Sequence, residues 1–117
     1  MSKKDKANLL AILDSIEKIL TYIQDTASPT QFYENSILFD ATLMNFVVIG
    51  EMVDRLSAEL REQAPDIDWQ KIKAFRNLVA HDYIGVDAEE VWQIIHKHIP
   101  DLKIRIQALL AKLTNEK

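Results

Sequence analysis

The chain has 117 residues, enough for one domain with a real apolar core. Hydrophobic residues make up 48% and charged residues 27%, while two glycines and three prolines leave little turn material for a many-stranded sheet. A net charge of −4 argues against coating nucleic acid through a broad basic face, and the lack of cysteine excludes disulfides and thiolate metal sites.

The basic N-terminus resembles the start of a signal peptide, but Asp14 and Glu17 break the apolar stretch and no small-residue cleavage site follows. No run approaches the ~18 apolar residues of a membrane span, so the expectation is a cytosolic (cytoplasmic) protein with no membrane partner. Leu9, Leu13, Ile16, Leu20 and Ile23 are spaced as on a bundle helix, predicted from about Lys4 to Gln24. The segment from Asp25 to Pro29 reads as a stop, followed by a short helical turn over Thr30 to Asn35. A long helix is predicted from Ile37 to Gln63. Its stretch Phe46–Gly50 is apolar all round, which in so short a chain points to cover from a second subunit.

Asp68 suits the N-cap of a helix starting at Trp69, with Ile72, Phe75, Leu78 and Val79 on one face. Gly85 is a plausible stop. Asp87 with Glu90 reads as a capping box for the next helix, and Pro100 precedes a last helix running to about Leu113. No internal repeat or linker interrupts the chain, so residues 1–117 are expected to form a single all-α, up-and-down bundle of four to five helices.

The octet Arg76-Asn77-Leu78-Val79-Ala80-His81-Asp82-Tyr83 carries the chemistry. Arginine is always charged and presents a fork of donors to phosphate. Histidine, ordinarily with a pKa of ~6.5, moves protons either way near neutrality. Tyrosine offers a hydroxyl and a face on which a base stacks. Such a set can cleave a phosphodiester through its own 2′-hydroxyl without a metal or cofactor, Arg76 stabilising charge and His81 moving protons. At about 100° per residue, His81 stands about 140° from Arg76, so a shared site requires the helix to end or loosen near Ala80. The bland alternative is an exposed Arg and a hydrogen-bonded His on a helix edge.

Arg76, His81 and Tyr83 reproduce the RX4HXY pattern of the HepT toxin family, a branch of the HEPN domains, and the resemblance runs nearly end to end. Gly50-Glu51 and Leu56-Ser57 stand on the preceding helix, Pro65 and Trp69 before the Arg, and Gly85-Val86-Asp87, Trp92 and Pro100 after the Tyr. Asp82 occupies a free position of the pattern, though its charge beside an RNA site is unexpected. The resemblance implies a HEPN-like bundle forming a two-fold homodimer with endoribonuclease activity. It also implies a toxin–antitoxin pair in which an MntA-type nucleotidyltransferase attaches AMP to Tyr83. Arg76 and His81 are then the catalytic pair, with Asn77, Tyr83, Glu51 and Lys73 supporting or touching RNA. A two-fold axis would supply a second His81, giving one base and one acid.

Around this set, Glu51 follows an apolar run and is expected to be partly buried against Arg76. Asp54 and Arg55 are expected to be solvated, and Trp69 and Trp92 to anchor the core. His96 and His98 lie about 200° apart on a helix and cannot clasp one metal from a shared face. Two other classes remain open. One is a non-catalytic helical module that presents a nucleotide or substrate to a partner nucleotidyltransferase; the other is a histidine phosphotransfer bundle, which would want His81 mid-helix and facing solvent.

Overall fold

In a computed structural model describing residues 3–115, the chain is all-α, with seven α-helices and one 3₁₀ turn among those residues. In α1 (Lys3–Tyr22), Leu9, Ile12, Ile16 and Ile19 recur every three or four residues and are fully buried. Short α2 (Pro29–Glu34) has proline in its first turn and Ser28 as N-cap, whose side chain accepts from Gln31 N. Asn35 caps α3 (Ser36–Arg55) by accepting from Leu38 N.

The predicted long helix does not reach Gln63. It ends at Arg55, the chain turns extended at Leu56, and Ser57 starts α4 (Ala58–Glu62) by accepting from Leu60 N. The break is held from far away in sequence. Asp5, 2% exposed at the start of α1, accepts from both Ser57 N (2.9 Å) and Ser57 Oγ (2.7 Å). Asn8 Nδ2 donates to the carbonyl of Arg55 at the end of α3.

Asp68 caps α5 (Trp69–His81) through Lys71 N. A 3₁₀ turn over Tyr83–Gly85 leads to α6 (Ala88–Lys97), where Asp87 caps Glu89 N; the reciprocal box expected with Glu90 does not form. Pro100 sits in the first turn of α7 (Ile99–Thr114), which its fixed φ suits.

Helices α1 and α5 both pack on α3, α7 packs on α1, and α6 joins α2 to α7. This corrects the reasoning from the apolar middle of α3. Phe46, Ile49 and Gly50 are buried and Val47 and Val48 half-buried within one chain, so that stretch does not require a second subunit. By length and composition α3 is apolar enough to cross a bilayer, contrary to the expectation that no run would be. Here Leu43, Ile49 and Val53 on it are core residues.

Candidate functional site

The site is built where α5 crosses α3. At Gly50 the two helices approach so closely that an added Cβ would stand 2.2 Å from the Cβ of Arg76. The crossing lays the Arg76 side chain, 12% exposed, along α3. Its Nη1 donates to Glu51 Oε1 (2.6 Å), its Nη2 to Asp54 Oδ2 (2.7 Å) and its Nε to Asn77 Oδ1 (2.8 Å). Glu51 thus meets the partner expected for it while staying half exposed. Asp54, expected to be solvated, instead bridges Arg76 and Lys73, whose Nζ lies 2.9 Å from Asp54 Oδ1.

Hydrogen bonds from Lys73 first, and from Arg76 second, hold the Asp54 carboxyl below the usual carboxylate range. In return Asp54, then Glu51, bind the proton of the Arg76 guanidinium more firmly than usual, against the pull of burial. Two cations face two carboxylates, so the cluster has no net charge. Three of the five guanidinium N–H groups are engaged. A phosphate would meet Arg76 through the two that remain, or by displacing Glu51.

His81 lies in the last turn of α5 and is exposed. The helix does not loosen at Ala80: Asp82 N still donates to Leu78 O (2.8 Å), and the backbone leaves helical geometry only at Asp82 itself. His81 therefore keeps its helical bearing, about 140° from Arg76, and the two do not share a face of one α5. His81 belongs instead to an outward strip of Gln70, Ala74, Asn77, Leu78 and His81, all exposed. Their spacing of four, three, one and three residues is that of one helix face, whose ionisable groups are His81 and, at its edge about 20° from Leu78, Lys71. Leu78 is 40% exposed on it.

The break at Asp82 sends Tyr83 back over α3. Its ring stands edge-on to Phe39 (centroids 6.3 Å apart), and its hydroxyl donates to Asp40 Oδ1. Burial, and after it the hydrogen bond to Asp40 and that carboxylate's charge, push the phenol up to about 12. Arg76 and Tyr83 thus both lie on α3 and meet acids on one of its stripes, Asp40 near its start and Glu51 and Asp54 near its end. Eleven residues separate Asp40 from Glu51, a rise of about 16 Å. Sequence reasoning missed Asp40 and the bridging role of Asp54, although Asp40, Glu51 and Asp54 fall within about 60° on a helical wheel.

The other candidates behave as core or caps. Trp69 is buried and donates from Nε1 to Arg61 O (3.1 Å), and Trp92 packs on Phe32 and His96. His96 Nδ1 lies 2.8 Å from Trp92 O one turn back. His98 stands at the N-cap of α7, beside an apolar cavity of about 280 Å³ lined by Phe46, Ile72, Phe75 and Leu102, which none of Arg76, His81 and Tyr83 lines.

An all-α bundle presenting Arg, His and Tyr from one helix and its following turn is the class defined by this fold and site. The sequence model of the family described as Ribonuclease HepT-like matches residues 12–109, and the chain belongs to that family. Among curated relatives, one from Methanocaldococcus jannaschii, named as a gamma-glutamylcyclotransferase and candidate RNase, is 33% identical over 117 residues. That match covers 100% of this chain but 52% of the relative, so the chain spans about half that protein's length. Two shorter proteins of the same organism, each named as a candidate RNase, are matched nearly throughout. One is 29% identical, covering 92% of this chain and 98% of the relative, and the other 30%, covering 97% of both. No solved structure gives a significant match.

Proposed function

We propose that this chain is a cytoplasmic, metal-independent endoribonuclease, the toxin of a toxin–antitoxin pair, working as a two-fold dimer and silenced by AMP on Tyr83. The observation that carries the reading is the outward strip of α5. A helix face of Gln70, Ala74, Asn77 and Leu78 is small and uncharged enough to lie against its own copy, and His81 ends that face. Pairing across it would bring two His81 imidazoles to one cleft. That meets what a single protomer lacks, since Arg76 and His81 point apart within one α5.

In the cleft one His81 takes the proton of the 2′-hydroxyl as its oxygen attacks phosphorus. The other protonates the departing 5′-oxygen, and a 2′,3′-cyclic phosphate is left. Arg76 neutralises the charge gathering on the phosphoryl oxygens, with Glu51 as the more exposed carboxylate to give way, and Asn77 and Lys73 beside it. AMP transferred to Tyr83 by an MntA-type nucleotidyltransferase would put a phosphodiester and an adenine two residues from His81, where RNA must lie.

The pairing of Arg76 with two carboxylates favours one other reading, a non-catalytic module that serves a partner nucleotidyltransferase. One experiment separates them: cleavage of a mixed RNA in EDTA by the wild type, Arg76→Ala and His81→Ala. The ribonuclease reading expects cleavage with cyclic-phosphate ends by the wild type, and a loss of ~10²-fold or more in each variant with helical content intact. A wild type that cuts nothing, or a His81→Ala variant that cuts as well, refutes it.

A further inference from the structure

Tyr83 is not simply an exposed phenol awaiting modification. The turn at Asp82 returns its ring to α3, where Phe39 walls one edge and the next residue, Asp40, accepts the hydroxyl proton in a hydrogen bond. The residue is 41% exposed, which leaves it open to another protein while its hydroxyl contacts Asp40. A phenol pushed up to about 12 keeps its proton at neutral pH, and a neutral phenol is a weak nucleophile. Bond formation from it needs a group that takes the proton as the oxygen attacks. That group must lie within hydrogen-bond reach of the hydroxyl, and Asp40 does.

We propose that Asp40 is the general base for nucleotidyl transfer to Tyr83, so that this chain supplies part of the catalytic machinery for its own modification. The inference rests on the reading of Tyr83 as the AMP acceptor. In the step, Tyr83 Oη attacks the α-phosphorus of a nucleoside triphosphate and its proton passes to Asp40 Oδ1. The bond from the α-phosphorus to the bridging oxygen breaks, pyrophosphate leaves, and a tyrosyl phosphodiester remains. Asp40 then returns the proton to water. The product cannot restore the original contact, because the esterified oxygen has no proton to donate and the new phosphodiester charge faces the Asp40 carboxylate. Modification therefore frees the tyrosine from α3, and the same carboxylate that promotes the reaction repels its product.

The test is the initial rate at which the full chain gains one adenylate, followed by intact mass, with a purified MntA-type nucleotidyltransferase, ATP and Mg²⁺. Asp40→Asn keeps an oxygen that accepts from the phenol but cannot take its proton, so the rate should fall ~10²-fold or more. Asp40→Ala should be as slow, and added formate should restore part of its rate, a response that a merely positioning side chain would not give. Modification of Asp40→Asn at the wild-type rate or faster overturns the role of Asp40, as does an Ala variant indifferent to formate. A wild type that gains no adenylate, or a Tyr83→Phe variant that gains as much, overturns the acceptor reading itself, and these outcomes appear without any Asp40 variant.

Discussion

Gly50→Ala is the smallest change that probes the whole site. The new Cβ would lie 2.2 Å from Arg76 Cβ and 2.4 Å from Arg76 Cγ, at least 1.0 Å short of the 3.4 Å at which ordinary contact begins. Those atoms sit next to the α5 backbone and cannot swing aside as a side-chain tip would, so the helices must part. Overpacking of this kind costs about 1–3 kcal/mol, whereas replacing a mid-helix glycine by alanine returns about 1 kcal/mol. Separation also stretches the Arg76 bonds to Glu51 and Asp54 and loosens the edge-on pair of Phe46 and Phe75 (5.1 Å), so the loss wins. A net loss of roughly 1–2 kcal/mol lowers Tm by about 4–8 °C in a chain of this size. Gly85→Ala is the control. Its Cβ would meet Asp82 Oδ2 at 2.4 Å, the far end of an exposed side chain that can rotate, and neither glycine has a positive φ that a side chain would strain. Thermal melts by circular dichroism should therefore show Gly50→Ala well below the wild type and Gly85→Ala within about 2 °C of it. A Gly50→Ala variant as stable as the wild type would refute the close-crossing argument.

Asp5→Ala should lower the urea midpoint by an amount equivalent to about 1–3 kcal/mol with the m-value unchanged, because Ser57 N and Oγ lose their acceptor at the α3–α4 break; a loss below ~0.5 kcal/mol would make that contact incidental. In ultraviolet titration Tyr83 should ionise only at about 12, and Asp40→Asn should bring it down. Since the folded phenol is raised above its ordinary value of 10.0, its contribution to stability is whole below that pH and is lost as pH rises through about 12; a Tyr83→Phe variant with unchanged alkaline unfolding would contradict this. Ala74→Glu, which puts a carboxylate in the middle of the outward strip of α5, should yield a monomer by sedimentation and abolish RNA cleavage, whereas cleavage by a monomer would sink the two-histidine site.

Much of the fold was legible because its signals are local. Repeats of three and four apolar residues place α1, α5, α6 and α7, and Asp68 and Asp87 cap where short polar side chains should. The break between α3 and α4 was not legible. Nothing between Ile37 and Gln63 forbids a continuous helix, and what ends it is Asp5, 52 residues away, capturing Ser57. The apolar stretch Phe46–Gly50 misled for a related reason. The cover over Phe46, Ile49 and Gly50 comes from α1 and α5 packing on α3, a tertiary arrangement that hydrophobic periodicity does not encode.

The site divides the same way. The residue types around Arg76, His81 and Tyr83 announce phosphate chemistry, and the apolar run before Glu51 announces a buried-side partner. The partners of Tyr83 and Lys73 depend on how α5 lies against α3, a relation between helices that neither helix states alone. Once Gly50 places Arg76 against the later part of α3, the antiparallel course requires that a residue further along α5 meet an earlier residue of α3, and Tyr83 meets Asp40. The acidic stripe of α3 then acts at both ends. At one end, Glu51 and Asp54 cancel the charge of Arg76 and Lys73, so this cluster offers nucleic acid no net attraction at long range, in keeping with the net charge of −4. On the proposed reading, phosphate would gain Arg76 at short range, through its remaining N–H groups or by exchange with a carboxylate. At the other end, Asp40 keeps the tyrosine of the RX4HXY pattern folded onto the same helix, so a single row of carboxylates holds both Arg76 and Tyr83, the groups to which the proposed function gives substrate binding and silencing.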